Sequence, residues 1–462
     1  MKIKNLIIII VVIFALISCN NNSGTCDATY FGGQIINPKS NFVTLEKNNV
    51  VIDTMYLDVK NNFSTILDAD TEGLYTFICG SRTGTQYQYV YFEPKDSILM
   101  RLNTWDFDES LVFSGRGAEK NNFLITLYLQ NEKNEKSFSS NYNLNSELFE
   151  KKITSYEAIN NFLYEQLKES GVKISPKFDV LAKVAISYPL NRKREIYPLM
   201  HRNRFQLENY PTVSKTYYDF RKNIDLNNED LIDFAPYYYY ISSYLDVLAH
   251  QQKKKNMNVT VDKLNIIIEN IKIQRLKNML LHRVIYSDFR SSKSSCRMNQ
   301  IALEIFNENC TNKKYLHQIK AMADDCVTIV QNRSIDNFEV ITINNTKTKI
   351  NTIIKDKKTI IYFWSPVIIS PDMLIKRVKY LNNKFPNLLF LGINMDPSQI
   401  SNRVNQKLKN QYLLTDNSEA HSFITSLEPR TILVDENGIV SNSFTYLSSP
   451  YLERQLKNLE KK

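Results

Sequence analysis

The side chains best suited to covalent chemistry in this chain are its thiols. Six cysteines are present, at Cys19, Cys26, Cys79, Cys296, Cys310 and Cys326. No two of them form a Cys-x-x-Cys pair, in which one thiolate attacks a disulfide and a second thiol resolves the mixed disulfide. We interpret Cys296, Cys310 and Cys326, which lie on helix-like sequence, as buried free thiols. A disulfide between Cys296 and Cys310, or between Cys310 and Cys326, is the alternative, and the pairing of Cys26 and Cys79 stays open.

Histidine and carboxylate side chains add no catalytic or metal-binding pattern. The five histidines are scattered, at His201, His250, His282, His317 and His421. None has the helical spacing of a metal-binding pair, and no His-Glu-x-x-His motif occurs. Asp324 and Asp325 form an isolated acidic pair on a predicted helix, which indicates a solvated face. The sequence therefore predicts neither a metal site nor a cofactor.

Cys19 differs from the other cysteines because of what precedes it. Lys2 and Lys4 are followed by twelve uninterrupted apolar residues, 6–17. That run is shorter than a membrane span and has the length of the apolar core of a signal peptide. Its end, Leu-Ile-Ser-Cys at 16–19, resembles the bacterial lipoprotein box. The resemblance implies a signal peptide over 1–18, acylation of Cys19 and attachment to the membrane through that lipid; the alternative is an ordinary cleaved signal peptide that happens to contain a cysteine. The polar residues that follow predict a flexible tether over 19–28.

Composition and charge exclude several classes of protein. The chain has 462 residues with 43% hydrophobic residues, which is ordinary for a folded protein of several domains. The formal net charge of +10 is spread over short lysine runs and does not gather in an arginine-rich helix. No zinc-finger or RNA-binding signature is present. The sequence therefore predicts a solvated surface and no nucleic-acid partner.

Residues 29–115 read as a small β-sandwich. Seven short apolar or alternating runs indicate strands, at 42–45, 50–57, 63–67, 74–78, 87–92, 97–102 and 111–113. Asparagine, glycine and proline separate these runs, as is typical of turns between antiparallel strands. About seven strands in so short a segment favour two packed sheets.

Residues 116–331 read as a helical domain of six to nine helices. Apolar residues recur at spacings of three and four, as at Phe149, Ile153 and Tyr156, and Gly171 is the only glycine after Gly117 in this region. Four consecutive tyrosines at 237–240 point around a whole helix. They predict either an aromatic binding surface or a helix that is buried on several sides.

The C-terminal segment alternates strands and helices. Residues 359–363 form an apolar run that ends at Trp364, and a helical pattern follows at Leu374, Val378, Leu381 and Phe385. A second apolar run, 388–393, comes next. Strand, helix, strand in this order predicts a βαβ unit with parallel pairing. A further strand over 431–434 and a hairpin turn at Asn437 and Gly438 complete the pattern.

These residues resemble a known family. Phe363 and Trp364 before the helix, Pro429 before a strand, and the turn from Asp435 to Gly438 are similar to the thioredoxin fold and, more narrowly, to the TlpA-like envelope disulfide reductases. The resemblance covers roughly 336–462 and implies a cis peptide bond before Pro429. We therefore expect an α+β multidomain protein with an N-terminal β-sandwich, a central all-helical region and a C-terminal α/β thioredoxin-like domain over 332–462.

The departure from that family lies in the chemistry. The segment 365–371 reads Ser-Pro-Val-Ile-Ile-Ser-Pro where the family carries Cys-x-x-Cys. A serine hydroxyl forms no redox couple, so Ser365 and Pro366 are interpreted as the turn that caps the next helix. The predicted binding groove is formed by Trp364, Ser365, Val367, Ile368 and Pro429, with Arg430 at its rim. The alternative is that Val367 and Ile368 fold inward and close it.

The sequence thus predicts a lipid-anchored cell-envelope protein whose redox-inactive thioredoxin-like domain binds a protein or peptide. Two alternatives remain, a thiol:disulfide oxidoreductase that uses cysteines such as Cys296 or Cys310, and a structural envelope component. Because residues 20–22 after Cys19 lack an acidic run, we expect an outer-membrane lipoprotein that faces the periplasm, with cell-surface exposure as the alternative.

Overall fold

The computed structural model describes residues 28–68, 71–80, 86–252, 258–290, 299–366, 368–396, 402–423 and 430–461. The predicted signal peptide and Cys19 lie outside these residues. In the described part of the chain, none of the helices combines the length and the apolar character that a membrane crossing requires. Three units follow one another along the chain.

The first unit is a β-sandwich. Its eight strands are β1 (Thr29–Ile36), β2 (Phe42–Lys47), β3 (Val50–Tyr56), β4 (Asn62–Leu67), β5 (Gly73–Cys79), β6 (Gln86–Phe92), β7 (Ser97–Asn103) and β8 (Val112–Arg116). They form two four-stranded sheets, ordered β4-β1-β7-β8 and β3-β2-β5-β6. Alternate side chains of both sheets fill one core, in which Phe31 and Phe77 are fully buried. The predicted sandwich is confirmed.

One strand of the sandwich escaped prediction. β1 contains Gly32 and Gly33, which interrupt the alternating pattern that marks a strand. The glycines are required because β1 lies centrally, parallel to β7 and antiparallel to β4. A Cβ on Gly33 would lie 2.2 Å from the carbonyl oxygen of Met100. The two glycines therefore make the strand hard to recognise in the sequence and also allow it to pack at the centre of the sheet.

The second unit is helical. Its α-helices are α1 (Ala118–Phe138), α2 (Ser146–Glu169), α3 (Pro176–Phe205), α4 (Ala235–Gln252), α5 (Val259–Asn270), α6 (Gln274–Arg290), α7 (Gln300–Asn309) and α8 (Lys313–Thr328). Short 3-10 turns occur at Ser139–Asn143, Asp219–Asn223 and Glu229–Leu231. Ser175 caps α3, where Pro176 occupies the first turn. The predicted helical region is confirmed.

The tyrosine run lies on the first two turns of α4. Tyr237 and Tyr240 are fully buried, while Tyr239 is 52% exposed. The Tyr240 hydroxyl donates to the buried carboxylate of Glu195, at 3.2 Å, and the Tyr237 hydroxyl accepts from the backbone N–H of Asn228, at 3.0 Å. One face of the helix thus packs in the core and another reaches the surface.

The third unit is a seven-stranded sheet flanked by helices. Its strands are β9 (Glu339–Thr342), β10 (Lys347–Lys349), β11 (Thr359–Trp364), β12 (Leu389–Asn394), β13 (Gln411–Leu414), β14 (Arg430–Val434) and β15 (Val440–Tyr446). Its helices are α9 (Ile350–Ile354), α10 (Pro371–Lys384), α11 (Asn402–Lys407) and α12 (Leu452–Lys461), with a 3-10 turn at Glu419–Ser422. The strand order is β10-β9-β13-β12-β11-β14-β15.

The centre of this sheet matches the sequence pattern. β11 pairs parallel with β12 and antiparallel with β14, so the predicted βαβ unit is present. The side chains of Ile360, Tyr362 and Trp364 point to one face, and those of Ile361 and Phe363 point to the other. Both faces are covered, which explains why β11 reads as a continuous apolar run.

The helical unit and the C-terminal unit are joined along β15. The Gln331 side chain donates to the Ser441 carbonyl at 2.8 Å, and the backbone N–H of Asn332 donates to the Val440 carbonyl at 2.8 Å. The Val440 N–H donates in turn to the carbonyl of Arg333 at 2.9 Å. The segment that follows α8 therefore covers part of the edge strand β15 with its backbone.

Candidate functional site

The predicted site lies at the junction between β11 and α10. β11 ends at Trp364, and the Ser365 carbonyl accepts from the backbone N–H groups of Ile368 and Ile369, both at 3.0 Å. The helix cap is Ser370, whose hydroxyl accepts from the N–H of Met373 at 3.4 Å. The prediction that Ser365 and Pro366 cap the helix is therefore wrong by about one turn. Ser370 followed by Pro371 is the stronger start signal.

Trp364 and Ser365 do not line an open groove. Trp364 is 1% exposed and packs with Leu374 in the core beneath α10, and its indole Nε1 has no hydrogen-bond partner among the described residues. Ser365 is also buried. Ile368, at 39% exposure, is the predicted groove residue that reaches the surface. Val367 and Pro429, with the predicted cis bond, lie outside the described residues.

Arg430 is buried, so its predicted position at the rim of a groove is wrong. Its Nε donates to the Ser443 carbonyl at 2.9 Å, and one terminal nitrogen donates to the Phe423 carbonyl at 2.6 Å. Burial lowers the pKa of the Arg430 guanidinium to about 10, while the negative charge of Asp325 acts in the opposite direction. The side chain therefore holds the C-terminal unit together and is not available to a ligand.

The prediction that Asp324 and Asp325 form a solvated face is also wrong. Asp324 is exposed and pairs with Lys320 at 2.6 Å, but Asp325 is fully buried on α8. The signal was present in the sequence. Met322 and Ile329 lie three residues before and four residues after Asp325, which puts all three on one face of the helix.

The cysteines fall into two groups. Cys79 and Cys310 are free and buried, and burial raises the pKa of both thiols. The interpretation of Cys310 as a buried free thiol is confirmed. Cys326 is disulfide-bonded, so its interpretation as a free thiol is wrong, and neither predicted bridge to Cys310 forms. The partner of Cys326 lies outside the described residues, as does Cys296.

Exposed apolar side chains continue from the junction along α10. Ile368 is followed by Met373, at 67% exposure, and by Tyr380, at 48% exposure. Met373 and Tyr380 lie seven residues apart, which places them on one face of the helix. We call these three residues the α10 patch. Among the described residues, no group of three histidine, cysteine or acidic side chains is placed to hold a metal ion.

Comparison with known proteins gives the following matches. No protein-family model matches the chain, and no curated protein matches it. Among solved structures, a thioredoxin domain of a thiol-disulfide oxidoreductase from Bacteroides vulgatus matches at 18% identity, covering 29% of this chain and 99% of that one, with a TM-score of 0.23. A thiol:disulfide interchange protein from Bacteroides sp. matches at 17% identity, 29% and 92% coverage, and a TM-score of 0.24.

A thiol peroxidase from Chromobacterium violaceum matches at 14% identity, covering 29% of this chain and 89% of that one, with a TM-score of 0.24. The fold itself is evident from the topology of the C-terminal unit. Parallel β11 and β12 are joined through α10, β14 and β15 form an antiparallel hairpin beside β11, and apolar layers cover both faces of the sheet. The C-terminal unit has a thioredoxin-like fold.

Proposed function

We propose that this chain is a lipid-anchored cell-envelope protein whose thioredoxin-like unit binds a protein or peptide without thiol–disulfide exchange. The observation that supports this most directly is the junction between β11 and α10. The turn and the helix cap are formed there by Ser365 and Ser370, with no thiol. Exchange requires an attacking thiolate and a resolving thiol, and neither hydroxyl can supply a redox couple.

Cys310, which the sequence offers as an alternative redox cysteine, does not have the properties of a reactive thiol. Cys310 is 4% exposed and lies in the helical core, and its thiol has a raised pKa because burial disfavours the thiolate. Reactive cysteines have the opposite properties, which are a lowered pKa and access to solvent. Oxidoreductase chemistry at Cys310 is therefore disfavoured.

The α10 patch is the surface that we assign to partner binding. An exposed apolar strip beside a cysteine-free junction can contact a peptide without any covalent step. Exposed apolar groups cost little in a monomer and gain hydrophobic stabilisation when a partner covers them. The anchor on Cys19 would hold this surface at the membrane.

The redox part of the proposal is tested by insulin reduction with dithiothreitol. We expect no acceleration by the purified protein over buffer alone. A thioredoxin-like protein with an intact Cys-x-x-Cys pair serves as the positive control. An acceleration that Cys310→Ser or Cys296→Ser abolishes would establish the oxidoreductase alternative.

The binding part is tested by co-purification from detergent-solubilised envelope. Ile368→Asp and Met373→Asp should each remove the partner that the wild type retains, because a charge then has to be desolvated at the contact. Ile343→Asp is the matched control, since Ile343 is 56% exposed on the same unit, just after β9. Equal retention by all variants would refute the patch, and absence of any partner would favour the structural component.

The anchor is tested separately by mass spectrometry of the mature N-terminus. Acylation at Cys19 should be found in the wild type, and Cys19→Ser should give either a form released from the membrane fraction or an unprocessed form that lacks the lipid. Stable anchoring needs more than one acyl chain, so several are expected. An unmodified mature N-terminus would contradict this part of the proposal.

A further inference from the structure

A cavity of about 410 Å³ lies between the β-sandwich and the helical unit, far along the chain from the β11–α10 junction. It is bounded by β6, the loop before β8, α1, α3 and the start of α4. Most of its lining is aromatic or aliphatic, including Tyr87, Tyr128, Phe234 and Tyr239, and two charged side chains, Asp108 and Arg192, also line it. Its volume is within the range of small-molecule sites in proteins.

The sequence builds this cavity from several elements with regular spacing. Tyr87 and Tyr89 lie two residues apart on β6 and so project from the same face of the sheet. The Tyr89 hydroxyl donates to the Asp233 carbonyl at 3.1 Å and accepts from the Ala235 N–H at 3.0 Å. These bonds fix the start of α4 against the sandwich and thereby place Tyr239 at the cavity.

α3 contributes a proline to the same wall. Pro189 lies inside the helix and has no N–H, so the helical hydrogen bond to the Ala185 carbonyl cannot form. Both Ala185 and Pro189 line the cavity. The side chain one turn further on, Arg192, extends over the ring of Tyr239, with Cζ 5.6 Å from the ring centre. The exposed tyrosine of the run therefore already accepts a cation on one face.

The charge at the other wall is negative. Asp108 is held in place by the Gln88 side chain, which donates to its Oδ1 at 2.8 Å. Burial raises the pKa of Asp108, and the carboxylates of Glu109 and Glu132 raise it further. The pKa of Tyr128 is raised to about 12, chiefly by burial, with contributions from Asp108 and Glu132. The Tyr128 phenol thus stays neutral at physiological pH.

We propose that this cavity binds a small organic ammonium ligand with an apolar body. Tyrosine rings attract a cation through their faces, and quaternary ammonium groups are recognised by such aromatic walls together with a carboxylate. The Asp108 carboxylate disfavours an anion at its own wall, where like charge would have to be desolvated, while the Arg192 guanidinium already occupies one face of Tyr239. An uncharged ligand would leave the Asp108 carboxylate without a complementary charge.

The test compares butyrylcholine with 3,3-dimethylbutyl butyrate, its uncharged carbon isostere, by isothermal titration calorimetry on the full chain. We expect butyrylcholine to bind about tenfold more tightly than the isostere. Asp108→Asn, which retains an oxygen for the Gln88 hydrogen bond, should weaken butyrylcholine binding by about tenfold. Tyr239→Ala should weaken it several-fold.

Two controls keep this test specific. Asp106→Asn removes the same charge two residues away, at an exposed side chain, and Tyr56→Ala removes a tyrosine that is 71% exposed on the same sandwich. Both should leave the affinity unchanged, and circular dichroism checks that every variant is folded. Equal affinity for the isostere, no butyrylcholine binding at millimolar concentration, or an unchanged affinity in Asp108→Asn would each overturn the proposal.

Discussion

Replacement of Arg430 by methionine should markedly lower the stability of the C-terminal unit. The guanidinium is 1% exposed and donates to the carbonyls of Phe423 and Ser443. Methionine has a similar length and can fill the space, so the substitution isolates the charge and its hydrogen bonds from packing.

The expected magnitude follows from opposing terms. Burial lowers the pKa of Arg430 from 12.5 to about 10, which corresponds to a cost of roughly 3 kcal/mol for carrying the charge in this site. Because the pKa is lower in the folded state than in the unfolded state, this cost is fully present below about pH 10 and decreases as the pH rises above that value. Two hydrogen bonds from a charged donor, at about 1.5–3 kcal/mol each, offset the cost.

Methionine removes the desolvation cost but leaves two buried carbonyl oxygens without their donor. It also leaves the buried Asp325 carboxylate without the positive charge of the guanidinium. A buried acceptor that loses its donor costs about 1–3 kcal/mol, so the two carbonyl oxygens together predict a loss of about 3 kcal/mol in the free energy of unfolding. Asp325→Asn should cost less, because Asp325 acts on Arg430 through its charge and not through either of these hydrogen bonds. The double variant should lose less than the sum by about 1 kcal/mol or more.

The chain provides a specific reporter for this measurement. It contains two tryptophans, of which Trp364 is buried in the C-terminal unit and Trp105 is 77% exposed in the sandwich. In a Trp105→Phe background, urea unfolding followed by tryptophan fluorescence therefore reports on the C-terminal unit alone. A loss below about 1 kcal/mol in Arg430→Met, or strict additivity in the double variant, would refute the proposed coupling.

Three further predictions concern the other units. Gly33→Ala should destabilise the sandwich by several kcal/mol in thermal unfolding, since its Cβ would lie 2.2 Å from the Met100 carbonyl, whereas Gly171→Ala, with positive φ but nothing within 4 Å, should cost only about 1 kcal/mol. Burial raises the pKa of Asp96 to about 6, so the folded state binds more protons than the unfolded state between about pH 4 and 6. The free energy of unfolding should therefore rise by up to about 3 kcal/mol as the pH falls from 7 to 4. Asp96→Asn should flatten this pH dependence in unfolding curves measured at several pH values. Tyr240→Phe should cost about 1–2 kcal/mol in urea unfolding because Glu195 loses a buried donor, while Tyr239→Phe, at an exposed position, should be neutral.

Local patterns in the sequence were enough to predict the order of the three units. The apolar spacing from Leu374 to Phe385 specified α10, and the alternation within β11 already implied the burial of Trp364, because Trp364 follows Ile360 and Tyr362 on the same face. The groove predicted from the family resemblance is wrong at Trp364, because the resemblance of the aromatic pair does not take this alternation into account.

Arg430 could not be placed from local sequence. Its buried side chain is held by carbonyls at Phe423 and Ser443 that the fold brings together, and the negative charge that acts on it, Asp325, lies on a helix of a different unit. The strand that contains Gly32 and Gly33 is missed for a different reason. Because neighbouring backbone approaches it closely, it has glycines in place of the side chains that would identify a strand. Long-range contacts, which no periodicity encodes, decided both cases.

The disulfide at Cys326 has a consequence for how the protein is made. This chain contains a disulfide that has to be introduced while the protein folds. A disulfide forms during folding only if an external oxidant accepts two electrons from the pair of thiols. The protein is therefore expected to be a client of an oxidative folding system, and its yield of native molecules should depend on that system's supply of oxidant.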